Sequence, residues 1–168
     1  MQENIMRLLS ARPAMPGGRE VTVAMIAIAD RLSSQTLGSA GLAIVGVSSA
    51  AAMAATAFSA VAGGALRRVA ASTAMTALSG TTAINTFNVY CFFIDPAGTL
   101  TTVMGTSATT LANVKFPDPV QKTAMIGLIT VNPTSAPFIG GTTALDAAST
   151  NVVYVNTQGA VDPTVLVV

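Results

Sequence analysis

The stretch that most constrains the fold is residues 87–104, FNVYCFFIDPAGTLTTVM, which has the pattern of a single β-hairpin. Aromatic and β-branched residues fit a pleated, half-buried surface, and strand alternation places Tyr90 and Phe92 on one face and Cys91 on the other. The segment 95–98, DPAG, separates the two strands. Its Asp can bond the backbone two residues on, its Pro fixes φ and its Gly accepts a left-handed conformation, so it predicts the turn. Nothing in this hairpin is arranged for chemistry, and we interpret it as scaffold.

Further strand candidates follow one another about every ten residues with turn signals between them, as in all-β sandwiches and barrels. A Gly-Gly pair at 63–64, between two apolar runs, predicts a two-residue hairpin. In its returning strand Arg67 and Arg68 fall on opposite faces, so we expect an exposed or edge position for this pair. The remaining predicted strands are 42–47, 114–116, 122–132 and 151–156, with connections at 71–83 and 134–141. The predicted fold is an all-β, antiparallel β-sandwich or barrel-like domain with an N-terminal arm.

Residues 32–66 contain no charge over 35 residues, which is long enough to suggest a transmembrane helix. The stretch is mostly Ala, Gly, Ser and Thr, which contribute little to membrane insertion. Its five glycines also disfavour a long helix. We therefore predict strands here and expect no membrane partner.

The distribution of charge divides the chain into two parts. Only 9% of its 168 residues are charged, against about a quarter in typical soluble domains, and the net charge is +1. Seven of the charged residues lie within residues 1–36. This shift predicts an N-terminal arm or anchor over 1–36 and a β-sandwich domain over 37–168. The arm has too few apolar residues to offset its chain entropy, so we expect it to order on a partner. Within it, residues 20–32 fit a strand and a helix equally well.

The residue types that carry most enzyme chemistry are scarce. The chain has no His, the commonest general base and metal ligand, and its single cysteine, Cys91, cannot form an intramolecular disulfide. We interpret Cys91 as a small apolar strand residue, because a catalytic cysteine needs a base beside it. Asp95, Asp118 and Asp162 each precede a proline, which is typical of turns. Zinc, calcium, nucleotide and phosphate-loop motifs are absent, so we expect no catalytic, cofactor or metal site and no small-molecule substrate.

Four runs in the central and C-terminal parts carry a resemblance to a known family. They are FNVYCFFIDPAGTLTTVMGT, VKFPDP, KTAMIGLITVNPTSAPFIGGTTALD and VYVNTQGAVDP. Together they resemble tailed-bacteriophage virion structural proteins of the capsid decoration, cement or head-fibre type, whose usual pattern includes IVNPT and FxGGTTALD. The match covers roughly residues 40–163 and leaves the arm outside it, and Thr130 is an insertion relative to IVNPT.

The resemblance implies structure and assembly, and it brings no catalytic residues. It implies a non-enzymatic protein on the capsid exterior of the virion that decorates and stabilises the capsid lattice. The expected partners are the major capsid protein and further copies of this chain, as a homotrimer by analogy with the family. No nucleic-acid partner is expected, because the chain is not strongly basic. Our candidates for the capsid contact are the arginines of the arm, Arg7, Arg12, Arg19 and Arg31.

Two alternatives to a capsid decoration protein are a tail or fibre structural component and a carbohydrate-binding β-sandwich module. The carbohydrate-binding module would need exposed aromatic side chains on one face. The chain has no Trp, and Tyr90 and Tyr154 are its only tyrosines. We rank an enzymatic function below both of these alternatives.

Overall fold

The computed structural model describes residues 32–118 and 120–161 continuously, together with Thr22, Met25, Ile28, Ala29 and Pro163. This part of the chain forms twelve β-strands. They are β1 (Gln35–Thr36), β2 (Leu42–Ile44), β3 (Ala52–Ala54), β4 (Phe58–Ala62), β5 (Ala65–Val69), β6 (Thr73–Ala74), β7 (Thr81–Thr82), β8 (Asn88–Ile94), β9 (Leu100–Met104), β10 (Ala124–Pro133), β11 (Phe138–Ile139) and β12 (Thr150–Asn156).

The strands assemble into antiparallel sheets around one central sheet. The central sheet has four strands in the order β12-β10-β8-β9. Two three-stranded sheets, β1-β4-β5 and β2-β3-β6, come from the first part of the chain, and β7 pairs with β11. The described residues from Ser33 on are therefore an all-β domain, as predicted, and of the two predicted architectures they adopt the sandwich-like one.

The central hairpin is confirmed. β8 and β9 pair from Tyr90–Met104 to Ile94–Leu100. In the turn, the Asp95 carboxylate accepts hydrogen bonds from the backbone N–H groups of Ala97 and Thr99, both at 2.8 Å. Gly98 has φ = 91°, the left-handed conformation that favours glycine at this position.

Apolar side chains cover both faces of the central sheet. On one face, Tyr90, Phe92 and Ile94 of β8 pack with the N-terminal sheets, which contribute alanines and Phe58. On the other face, Cys91 and Phe93 pack with a smaller set that includes Val114, Met125 and Leu128. All seven residues of β8 are consequently buried, and the predicted alternation of its two faces is confirmed.

A β-bulge in β10 adjusts which of its side chains reach the larger core. Met125 pairs with Phe93 and Gly127 pairs with Phe92, so Ile126 is an extra residue that faces no partner on β8. Strict alternation would put Ile126 and Ile129 on opposite faces, since they are three residues apart. The bulge shifts the register by one residue, and both isoleucines are buried in the same core.

The predicted glycine hairpin is also confirmed. β4 and β5 pair from Phe58–Val69 to Ala62–Ala65. Gly63 and Gly64 have φ = 53° and 81°, the two positive values that a type I′ turn requires.

Several short segments differ from the sequence prediction. The strand predicted at 114–116 is reduced to an isolated bridge between Lys115 and Thr106, next to a 3-10 turn at Leu111–Asn113. The connections predicted at 71–83 and 134–141 contain β6, β7 and β11. Strands of two residues are too short to show an alternating pattern in the sequence. They form because a partner strand pairs with them in the folded domain. Within 20–32, the alternative that the sequence left open, all five described residues are α-helical.

Candidate interaction surfaces

The arginines predicted to contact a capsid lie outside the described residues. Arg7, Arg12, Arg19 and Arg31 therefore have no assigned position relative to the β domain. The same holds for residues 164–168. The surfaces discussed below belong to the described part of the chain.

Cys91 is a core residue. Its side chain is fully buried on the smaller apolar face of β8, and burial raises the pKa of its thiol to about 12. The thiolate is the reactive form of cysteine, so a thiol in this position is unreactive at neutral pH. Its surroundings match the interpretation of Cys91 as a small apolar strand residue.

Two acidic side chains of the described region, Asp95 and Asp146, hold loops in place through hydrogen bonds from backbone N–H groups. Hydrogen bonds from the backbone N–H groups of Thr99 and Ala97 lower the pKa of Asp95. The carboxylate of Asp146 accepts the backbone N–H of Ser48 at 2.9 Å and so joins two loops that are far apart in sequence. In the described part of the chain, no three side chains of His, Cys, Asp or Glu come together.

Arg67 and Arg68 lie on β5, an edge strand, as predicted. The Arg67 guanidinium donates from Nε to the carbonyl oxygen of Pro96 at 2.7 Å and also donates to it from Nη2. Arg67 thereby connects β5 to the turn of the central hairpin. Arg68 points to solvent and lines a shallow open depression with Leu37 and Phe58.

Near the N-terminus, three described helical residues carry exposed apolar side chains, and we call them the helix stripe: Met25, Ile28 and Leu32. Their exposed fractions are 65%, 58% and 64%. The other described residues of this helical segment, Thr22 and Ala29, are exposed as well. The sequence analysis missed this surface because it left helix and strand open.

A second exposed feature lies on β12, the last strand of the central sheet. We call it the β12 edge, and it comprises the outer side of the strand and the side chains of Val153 and Val155. These two valines project from one face of the sheet and are 57% and 40% exposed. β12 pairs with β10 on one side, and no strand of the described residues pairs with its outer side, where the Thr150 N–H donates to the Ala147 carbonyl at 2.9 Å. The strand carries no charged residue and no proline, the usual protection of an exposed edge.

No family model, curated protein or solved structure matches this chain.

The helices of the described region are all too short or too polar to cross a membrane.

Proposed function

We propose that this protein is a non-enzymatic structural component of a tailed-bacteriophage virion, a decoration or cement protein that binds the capsid exterior. The observation that carries the proposal is that the chain combines two exposed apolar surfaces with very few charges. The two surfaces are the helix stripe and the β12 edge. Exposed apolar surface marks contact with other macromolecules. A surface with few charges is suited to permanent contact within a large assembly.

The runs that carry the family resemblance support this proposal because they form the structural centre of the domain. The hairpin run builds β8 and β9, and the ITVNPT run ends β10. The FIGGTTALD run contributes Phe138 and Leu145 to the larger core and Asp146 to the link with Ser48. These residues act as scaffold, which is the role that the resemblance implies.

In the proposed role, the protein stabilises the capsid lattice by contacting it through many identical copies. Weak contacts from several linked copies combine into high avidity, because each later contact is intramolecular. The major capsid protein and further copies of this chain, as a homotrimer, are the proposed partners. A tail or fibre position would use the same surfaces at a different place in the virion.

Carbohydrate binding is the less favoured alternative. Sugar recognition by a β-sandwich module relies on exposed aromatic rings, and all eight aromatic residues of this chain are described by the structure. Tyr90 is fully buried against Phe138, and Tyr154 is half-buried. Each of the eight rings is buried or half-buried.

The test is to locate and count the protein in purified virions. Quantitative mass spectrometry of particles, with the major capsid protein as internal standard, should give a copy number on the scale of the capsid lattice. Antibody labelling should fall on the head. A few copies per particle, with labelling on the tail, would favour the tail or fibre alternative. Absence of the protein from virions would refute the proposal.

A further inference from the structure

The backbone of β12 directs a defined set of polar groups away from the central sheet. In an antiparallel pair, residues that bond their opposite number alternate with residues whose N–H and C=O point outward. The register between β10 and β12 is constant, and at the two ends of the pair Ser149 and Thr157 are hydrogen-bonded across it, at 2.7 and 3.2 Å. Val152 and Tyr154 therefore direct their backbone groups outward, where no strand of the described residues pairs with them.

Both faces of the sheet are apolar beside this edge. Val152 and Tyr154 pack, partly buried, against the larger core. Val153 and Val155 project from the opposite face, and Val155 lies directly across from Leu128 of the smaller core. The two exposed valines thus continue the smaller core on the last strand of the sheet. A strand that covered this edge would need apolar side chains on both of its faces, and so a continuous apolar run.

The segment 164–168, TVLVV, has this composition. After its threonine, four apolar residues follow one another, and three of them are valines. Continuous β-branched runs of this kind are typical of strands that are buried on both faces. The segment also contains no charge, glycine or proline that would oppose pairing with a neighbouring strand.

The residues that precede this segment hold it close to the β12 edge. Gly159 pairs with Thr36, and Val161 packs against the smaller core, on the face from which the two exposed valines project. Pro163 is buried in a 3-10 turn. Five extended residues span about 16 Å. The four strands of the central sheet, about 4.8 Å apart, span about 14 Å, so β12 lies within reach.

The length of the connection sets the direction of the pairing. Residues 157–163, seven in number, separate the end of β12 from the segment. A parallel return requires a crossover of about a dozen residues or more, whereas an antiparallel return requires only a short connection. The segment would therefore run back along β12 and pass Val155 before Val153.

We infer that segment 164–168 adds to β12 of its own chain as a fifth, antiparallel strand of the central sheet. Its backbone bonds the outward groups of Val152 and Tyr154, and its side chains cover Val153 and Val155. The pairing lies within one chain and does not depend on a location on the virion. Because the added strand is itself apolar and uncharged, an unprotected edge remains on this side of the sheet for the contacts proposed above.

The first experiment follows amide hydrogen exchange in the full chain by NMR. The Tyr154 N–H should be protected in the wild type. In Leu166→Pro it should exchange at least about tenfold faster, because proline removes a donor and disrupts the added strand. The Val153 N–H, which faces β10, should keep its rate and so report that the central sheet is intact.

The matched control for the proline is Val47→Pro. Val47 is 92% exposed and follows Gly46 in a turn that the Ser49 N–H closes at 3.1 Å. Proline is favoured at this position of a turn. The variant should therefore leave the protection of the Tyr154 N–H unchanged.

A second experiment measures how accessible the edge is to a thiol reagent. Val155 and Leu66 are 40% and 66% exposed with respect to the described residues, so on that basis Val155→Cys and Leu66→Cys should react at similar rates. If the segment covers the edge, Val155→Cys should react about tenfold more slowly, since thiol reactivity depends on access. Adding Leu166→Pro should restore the rate of Val155→Cys and leave that of Leu66→Cys unchanged. The native Cys91 is buried and should not react.

A Tyr154 N–H that exchanges in the wild type as fast as in an unfolded peptide would overturn the inference. So would protection that Leu166→Pro leaves unchanged, or labelling of Val155→Cys as fast as that of Leu66→Cys. Protection that falls on tenfold dilution would show that a second copy covers the edge, which would overturn the placement within one chain. These outcomes do not decide whether the protein is present in virions, so the proposed function stands or fails on its own test.

Discussion

At the scale of single residues, stability is concentrated in β8. Pairing with β9 and β10 satisfies its backbone, and the two cores cover its faces, so each of its side chains is closed off from water. Interiors of this kind are densely packed, and a missing side chain leaves a cavity that the surroundings fill only in part.

Phe92→Ala should therefore destabilise the domain by about 3–5 kcal/mol, the range for removing a buried phenyl ring. Phe92 has no exposed surface and lies in the larger core. The free energy of unfolding from denaturant titration measures the effect. Leu66→Ala, which removes an exposed side chain, should change stability by less than about 0.5 kcal/mol. Equal losses in both variants would contradict the assignment of the core.

Cys91 should make the protein sensitive to alkali. Burial raises the pKa of its thiol from 9.0 to about 12, so above pH 9 the unfolded chain loses the proton while the folded chain keeps it. The folded state then binds more protons than the unfolded state, and stability falls as pH rises, by up to about 1.4 kcal/mol per pH unit from this group. Above pH 9 the free energy of unfolding of Cys91→Ala should fall less steeply with pH than that of the wild type, whatever the variant's stability at neutral pH. If the free energy of unfolding fell equally steeply in both proteins, the pKa of the Cys91 thiol would not be raised in the folded state.

At the scale of elements, the contact between β10 and β12 depends on a residue without a side chain. A Cβ atom at Gly127 would lie 2.5 Å from the Val155 carbonyl oxygen and 2.6 Å from a methyl group of Leu42. The Leu42 side chain can move, but the carbonyl belongs to the paired strand and cannot move without disturbing the sheet.

Gly127→Ala should accordingly cost about 1–3 kcal/mol, as overpacking of a core does. Gly38→Ala is the matched control, because a Cβ there has nothing within 4 Å and the backbone is not left-handed. Thermal melting of both variants should show a loss for Gly127→Ala alone. Equal melting temperatures for the two variants would contradict the close packing of β12 against Gly127.

The elements that the sequence predicted are those whose signal is local. Both hairpins are marked by their turn residues, and β10 and β12 by long β-branched runs, so local chemistry suffices to find them. β6, β7 and β11 have two residues each and exist only because a distant partner is present. The bulge at Ile126 is likewise set by the partner strand and leaves no mark in the composition.

The candidate surfaces were harder to predict for a related reason. In the sequence, Val153 and Val155 look like the core residues of any β-strand. Only the order of strands in the sheet shows that β12 lies at an edge and that these two valines are exposed. The arm residues 20–32 contain both a two-residue and a three-to-four-residue apolar pattern, so the sequence by itself did not choose between strand and helix.

At the scale of the whole molecule, the β domain begins before the end of the range predicted as the arm. β1 pairs with β4, and Thr36 also forms a reciprocal backbone pair with Gly159. The Thr36 hydroxyl donates to the Thr157 carbonyl at 3.0 Å, and the Thr157 hydroxyl donates to the Met125 carbonyl at 2.8 Å. Residues 33–36 thus connect the first sheet to the central one, and a cut at Leu37 would remove that connection.

A chain that starts at Ser33 should therefore fold as a β domain with a melting temperature near that of the full chain, whereas one that starts at Leu37 should melt at a lower temperature.

The Ser33 chain lacks both the helix stripe and the four arginines of the arm, so it should no longer co-sediment with particles stripped of this protein. Binding of the Ser33 chain equal to that of the full chain would show that the β domain makes the attachment, and the β12 edge would then be the surface to alter next.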